Sequence, residues 1–459
     1  MGPYVEDHDD DVVALLGELI RVDTSNPPGN ETAAALVVDA FFRRHGLQGE
    51  LVGESPERQN FVLRLDGSRP GPTLLLLAHL DVVPAPEPDW SAPPFAGEVR
   101  DGYVWGRGAA DIKNLVAANA VAVTRLAATG GDFAGAVVYA ATADEEVGTA
   151  CGARWLLEHR PDLVACDFVL NEGGGEFQVV DGRRVYPMPT GEKGTAQFRL
   201  VVTGTAGHAS MPMYEGNAVA DAARVVEALL AHRPRVVMDS VSPTYIRAMV
   251  ADEATAAALL DADTARAALE ELRRHDGSLA RLLEPQYGVT LAPTGVRSHG
   301  TAVNAYPPRV DVTVDCRTLP GQGPDDVLSE VTRALAGVEA DWSLEWIDVI
   351  AGNSSPYPSE LGAAVEAVMR RLVPDATVAP VTWVGFTDSK WFRDALPSCI
   401  AYGFSPYLLD DRDAVMARFH GVDERIAVRD LLFQTLFREE LLRELLGAGS
   451  GAATTDADR

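Results

Sequence analysis

The sequence contains an apolar run that ends in acids: Val137-Val-Tyr-Ala-Ala-Thr-Ala-Asp-Glu-Glu-Val-Gly148. A short apolar run bounded by glycine reads as a strand buried on both faces, and open α/β sheets place their chemistry just beyond the carboxyl ends of such strands. Glu145 and Glu146 fall there. Adjacent carboxylates at the mouth of a core repel each other unless a cation or a shared proton resolves the conflict. Taken alone, an acidic first helical turn, favourable to the helix dipole, is the commoner explanation. The case therefore turns on whether other strand ends supply further ligands.

Three other stretches do so. The run 73–78 delivers His79-Leu-Asp81, and strand periodicity points His79 and Asp81 the same way. A carboxylate beside an imidazole is what fixes the tautomer of a metal-ligating histidine. Gly-Arg-Gly-Ala-Ala-Asp111-Ile-Lys113 precedes an Ala-rich helix expected over 114–128, which places Asp111 at a helix N-terminus. Phe168-Val-Leu-Asn-Glu172 repeats the pattern of apolar strand, acid and glycines. His79, Asp111, Glu146 and Glu172 form a hard, oxygen-rich set with one imidazole, suited to two divalent ions rather than one. Two ions sharing a bridging Asp need five ligand residues; the missing imidazole is assigned to His420, in Arg-Phe-His420-Gly-Val-Asp-Glu-Arg, where Gly421 frees the backbone. His8, His45, His159, His232 and His275 fall in helical or terminal segments and read as surface residues.

Nucleophilic chemistry lacks comparable support. No Gly-x-Ser-x-Gly elbow is present. The cysteines, at 151, 166, 316 and 399, have no partner histidine nearby in sequence, and Cys151 is expected to pack in the helix after the acidic cluster. Their spacing fits neither a zinc ribbon nor a disulfide scaffold.

The elements that must position these residues alternate. Helices are expected over 10–22 and 31–45, the second capped by Gly46, and strands over 48–52 and 60–65. The breaker segment Ser-Asn-Pro-Pro-Gly29 ends the first helix. At 459 residues the length predicts two or three domains. A net charge of −28, from 39 basic against 67 acidic residues, argues against a nucleic-acid partner. No apolar run is long enough to span a bilayer and no signal peptide opens the sequence, so a cytoplasmic location is expected. Lysine occurs only at 113, 193 and 390, where a compact ammonium answers a local geometric need that arginine cannot.

In combination, His-x-Asp, Gly-x-x-x-x-Asp-x-Lys, Asp-Glu-Glu-x-Gly, Asn-Glu-Gly and a late His-Gly-x-Asp-Glu make the chain resemble the M20 family of metallopeptidases and amidohydrolases from about 10 to 440. The resemblance implies an α/β fold: a mixed-sheet zinc-peptidase catalytic domain over 1–190 and 353–446, interrupted by an α+β, ferredoxin-like lid and dimerisation domain over 191–352. The tail 447–459 is expected to be disordered. It also implies two divalent cations, zinc first with cobalt or manganese as alternatives. His79 and Glu172 would hold one, Glu146 and His420 the other, and Asp111 would bridge them. Glu145 would be the general base, Asp81 the carboxylate behind His79, and the Asp111–Ile112 peptide would be cis. The substrate would be a small N-acyl-amino acid or a peptide with a free carboxylate; narrow deacylation of acetylornithine or succinyl-diaminopimelate is the alternative.

The pattern changes near Gly191, where a long alternating strand over 195–203 begins. By the same resemblance His208 would stabilise the oxyanion, reached by lid closure or across a homodimer interface, and Arg317 would grip the substrate carboxylate with Asn304 nearby. An Ala- and Leu-rich helical insert is expected over 236–292. The family's Gly-Gly-Thr-Asp and Gly-x-Gly-Pro read Gly385-Phe-Thr-Asp388 and Gly403-Phe-Ser-Pro406 here, both at the expected substrate pocket.

Overall fold

The computed structural model describes residues 10–148, 150–300 and 302–447; His8 and the segment 448–459 lie outside them. Contacts divide the chain into two compact units, one comprising 10–190, Ser355–Pro380 and 387–447, the other Gly191–Ser354 and Val381–Phe386.

The first unit is built on a six-stranded mixed sheet in the order Glu50–Gly53, Gln59–Asp66, Ala134–Thr142, Arg69–His79, Phe168–Asn171, Ile400–Gly403. The last four run parallel, so their carboxyl ends share one edge, with His79 opposite Thr142 and Gly403 opposite Asn171. The continuous apolar runs arise because both faces are covered. Leu74, Leu76, Val137 and Tyr139 pack in one core with residues of helices Asp10–Ile20, Lys113–Ala127 and Val428–Leu446. Leu75, Leu77, Val138 and Ala140 pack on the other side with Leu156 and Phe392.

Lys113 is fully buried and caps the end of helix Asp10–Ile20, its ammonium donating to the carbonyls of Leu19 and Val22. A small antiparallel sheet of Glu98–Arg100, Tyr103–Trp105 and Arg425–Ala427 ties two segments far apart in sequence. Among the described residues no helix is long and apolar enough to cross a membrane.

The second unit carries a four-stranded antiparallel sheet in the order Thr290–Ser298, Arg309–Thr318, Gly194–Thr203, Asp341–Ile350. Helices Ala218–Ala231 and Pro324–Ala334 pack on it through Ala222, Val225, Leu229, Val327 and Val331. Strand, helix, two strands, helix, strand, with the first and third strands central, is the ferredoxin-like arrangement. Four helices between Ser242 and Leu283 interrupt it. Lys193 is buried here, donating to the carbonyls of Pro285 and Gly288, so it anchors the insert.

Three details differ from the sequence reading. Residues 381–386 belong with the second unit, because Trp383 accepts the backbone N–H of Lys193 and Thr382 bonds to Asp239. His232 is no surface residue: its side chain is 11% exposed, with Nε2 2.8 Å from Glu330. Cys151 precedes helix Ala153–His159, and its thiol donates to Glu54 at 3.1 Å.

A candidate two-metal centre

At the shared edge of the parallel strands, Asp111 divides its carboxylate between two imidazoles. Its Oδ1 lies 3.4 Å from His79 Nε2, and its Oδ2 lies 3.0 Å from His420 Nε2. Glu172 stands on the His79 side at 3.7 Å, and Glu146 on the His420 side at 3.3 Å. Glu145 is set back, 4.0 Å from His79 Nε2.

Each side chain arrives by a different local device. His79 is the last residue of its strand, and Glu172 follows the last residue of Phe168–Asn171. Glu145 and Glu146 occupy a turn rather than a first helical turn, since the next helix starts only at Ala153. Asp111 precedes Ile112, the N-cap of helix Lys113–Ala127, and the peptide between them is cis. His420 comes from the loop that the Tyr103–Trp105 pairing carries to Asp111; it holds φ of 56°, so the left-handed residue is the histidine itself and not Gly421.

His79 Nδ1 donates to the backbone carbonyl of Asp81 at 2.9 Å, and the Asp81 carboxylate is farther, at 3.5 Å. The strand stops at His79, so period-two alternation no longer governs residue 81. The carbonyl bond turns Nε2 toward the acids. The Asp81 carboxylate instead accepts the backbone N–H groups of Glu145 and Glu146, each at 3.1 Å.

The electrostatics call for positive charge. Burial pushes the Glu145 and Glu172 carboxyls well up; Glu172 adds to the rise of Glu145, and Asp111 and Glu146 add to that of Glu172. Asp111 and Glu146 draw the His420 imidazole up to about 10. Burial also pushes Asp111 up, but hydrogen bonds from His420 and His79 outweigh it and hold it low. Glu146 Oε1 is buried with no hydrogen-bond partner among the described residues. The ligand atoms of His79, Asp111 and Glu146 lie within 4.8 Å of one another, as do those of His79, Glu145 and Glu172. An orphaned carboxylate oxygen among crowded acids and two imidazoles fits hard divalent cations.

Sequence reasoning missed the residues behind these ligands. Glu424, 0% exposed, accepts the N–H groups of Ala110 and Asp111 through Oε1 and Arg107 through Oε2; it stands in the quoted His-Gly-x-Asp-Glu motif, and that was its only signal. Arg58 bonds to Asp144 and Glu31 with no local signal at all. Asn26, in the breaker segment, bonds to Asp81.

Three expected site residues lie in the second unit. His208 pairs through its strand with Ala305, and its Nε2 is 3.5 Å from Asn304 Nδ2. The Ser210 N–H donates to His208 Nδ1 at 3.2 Å, and the Ser210 hydroxyl lies 2.6 Å from the same nitrogen. Arg317 is engaged by Asp315 through two bonds of 2.9 and 3.2 Å.

Residues 75–444 match the model of Peptidase family M20/M25/M40. The chain is 34% identical over 384 residues to a succinyl-diaminopimelate desuccinylase of Xanthomonas campestris, covering 81% of this chain and 84% of the relative. It is 29% identical over 423 residues to a human N-fatty-acyl-amino acid synthase/hydrolase, covering 89% and 79%. A solved M20 family metallo-carboxypeptidase from Sulfolobus solfataricus shares the fold at a TM-score of 0.67 with 20% identity, over 95% of this chain and 99% of that one. The chain thus belongs to peptidase family M20/M25/M40 and is a hydrolase acting on amide bonds.

Proposed function

We propose that the enzyme uses two divalent cations to cleave the amide of N-acyl-amino acids or dipeptides that bear a free carboxylate. The observation that carries this reading is the division of Asp111 between His79 and His420. His79, Asp111 and Glu172 would hold one cation and His420, Asp111 and Glu146 the other; zinc suits the mixed imidazole and carboxylate set, with cobalt or manganese as alternatives. Bound cations would polarise the scissile carbonyl and acidify water. Glu145, set back 4.0 Å from His79 Nε2, takes a proton from the attacking water as its carboxylate and returns it to the leaving nitrogen. His208 donates to the oxygen that gains charge, and Arg317 receives the substrate carboxylate.

The desuccinylase relative favours a second reading, narrow deacylation of succinyl-diaminopimelate, with acetylornithine as the other narrow substrate to test. A homodimer is supported by the apolar groove of about 680 Å³ between helix Ala218–Ala231 and the edge strand Thr290–Ser298. Val219, Leu230 and Val296 stand 50–63% exposed there, and a second copy would cover them.

The deciding experiment is metal analysis of the purified protein together with hydrolysis of a panel. The panel contains N-acetyl, N-succinyl and long-chain N-acyl amino acids, dipeptides and their carboxamides. About two cations per chain and cleavage of free acids are expected. A metal-loaded protein inert to the whole panel sinks the reading, and cleavage of the succinyl or acetylornithine substrate alone selects the narrow one.

A further inference from the structure

Asn26 is 3% exposed and its side-chain nitrogen serves two carboxylates: Nδ2 donates to Asp81 Oδ2 at 2.9 Å and to Asp144 Oδ1 at 2.8 Å. Both partners are acceptors when ionised, so only the amide nitrogen can face them. The two acids so joined support opposite ends of one turn. Asp81 accepts the N–H groups of Glu145 and Glu146 through its separate oxygens. Asp144 accepts those of Ala150 and Cys151 through Oδ2, and itself stands at φ of 61°, a conformation that a non-glycine residue keeps only when its surroundings hold it.

Arg58 also holds Asp144, at 2.9 Å, and is fixed in turn by Glu31. No hydrogen bond runs from Arg58 to Asp81 among those described, so Asn26 is the link between the two acids. Without its amide protons, Asp81 and Asp144 would lose the donor they share, Arg58 would remain on Asp144 alone, and buried like charges separate. Asp81 would then draw the backbone of Glu145 and Glu146 out of register.

We propose that Asn26 is a positioning residue, which fixes the base Glu145 and the ligand Glu146 by clamping Asp81 to Asp144. The proposal rests on the two-cation reading for the roles of those glutamates. It does not rest on that reading for the clamp.

The test uses Asn26→Leu, which keeps the volume and removes the donors. Amide hydrogen exchange is measured first on cation-free protein. Segment 144–151 should exchange roughly 10-fold faster or more, while strand Arg69–His79 is unchanged. Next, Zn²⁺ affinity is measured by chelator competition and should weaken by about 10–100-fold. Turnover of the best panel substrate should show kcat lower by about 10–100-fold with KM within about 3-fold. Unchanged exchange over 144–151, or Zn²⁺ affinity within about 2-fold of the parent, overturns the proposal.

If Asn26→Leu does not fold, Asp144→Asn, which weakens the other end of the clamp, must accelerate exchange over the same segment; unchanged exchange there is equally fatal. A parent protein that binds no Zn²⁺ and cleaves nothing defeats the functional reading, and the exchange result still decides the clamp.

Discussion

Glu424 accepts the backbone N–H of Asp111 at 3.1 Å, so the residue whose carboxylate lies between His79 and His420 is held at its backbone by an acid that is itself fully buried. Arg107, 3% exposed, neutralises that acid through a bond of 2.5 Å. Removing one member of a buried pair leaves the other charge uncompensated. Glu424→Gln should therefore destabilise the protein by about 3–5 kcal/mol in urea denaturation. Adding Arg107→Met should recover more than half of the loss; no recovery would show that the backbone bonds, and not the ion pair, dominate.

Glu145→Gln keeps the shape and the Asp81 bond to the backbone but cannot carry a proton. Turnover should fall by roughly 10²–10⁴-fold with cation content unchanged. Near-normal turnover would move the base elsewhere.

Arg317 meets Asp315 through Nε and Nη2 and is half-buried, and on the proposed reading its remaining nitrogen, Nη1, would meet the substrate carboxylate. Arg317→Ala should raise KM about 10–100-fold for free acids and far less for their carboxamides. Equal losses on both would mark Arg317 as a partner of Asp315 alone.

Burial pushes the Glu176 carboxyl from 4.5 up to about 7, and its Oε1 has no hydrogen-bond partner among the described residues. Its folded-state pKa lies above the unfolded value, so the unfolded chain loses this proton first as pH rises. Stability should then fall between about pH 4.5 and 7 and stay low above that window. The shift corresponds to an upper bound of about 3 kcal/mol. Glu176→Gln should raise Tm at pH 8 and change it little at pH 4; the reverse pattern would contradict the sign.

His208 lies in a different compact unit from every proposed cation ligand. Mixing His208→Ala with Glu145→Gln after verified subunit exchange should restore part of the activity if a dimer shares His208. No recovery excludes sharing, and full activity of His208→Ala alone removes His208 from the reaction.

The α/β class was legible because the buried parallel strands carry continuous apolar runs and the chemistry-bearing residues follow their ends. His79, Glu172 and the Glu145–Glu146 pair were readable for that reason, each being fixed by a few neighbouring residues. Their supports were not. Arg58 meets Asp144 across 86 positions, and Arg107 meets Glu424 across 317. No local pattern encodes such pairs. His232 was misread for the same cause: the acid that buries it, Glu330, is 98 residues away. His79 shows a subtler limit, since alternation was extended two residues past the strand's last member.

The pairing of Arg425–Ala427 with Tyr103–Trp105 also sets an order of events during synthesis. A ribosome makes His79, Asp111, both turn glutamates and Glu172 before it starts on the second unit, and His420 only after that unit is finished. A nascent chain at that stage holds one imidazole among four or five acids, with nothing on the far oxygen of Asp111. On the two-cation reading, hydrolytic competence would wait for the late loop to be translated and drawn in by its short strand, and fragments released before His420 should leave N-acyl-amino acids uncleaved.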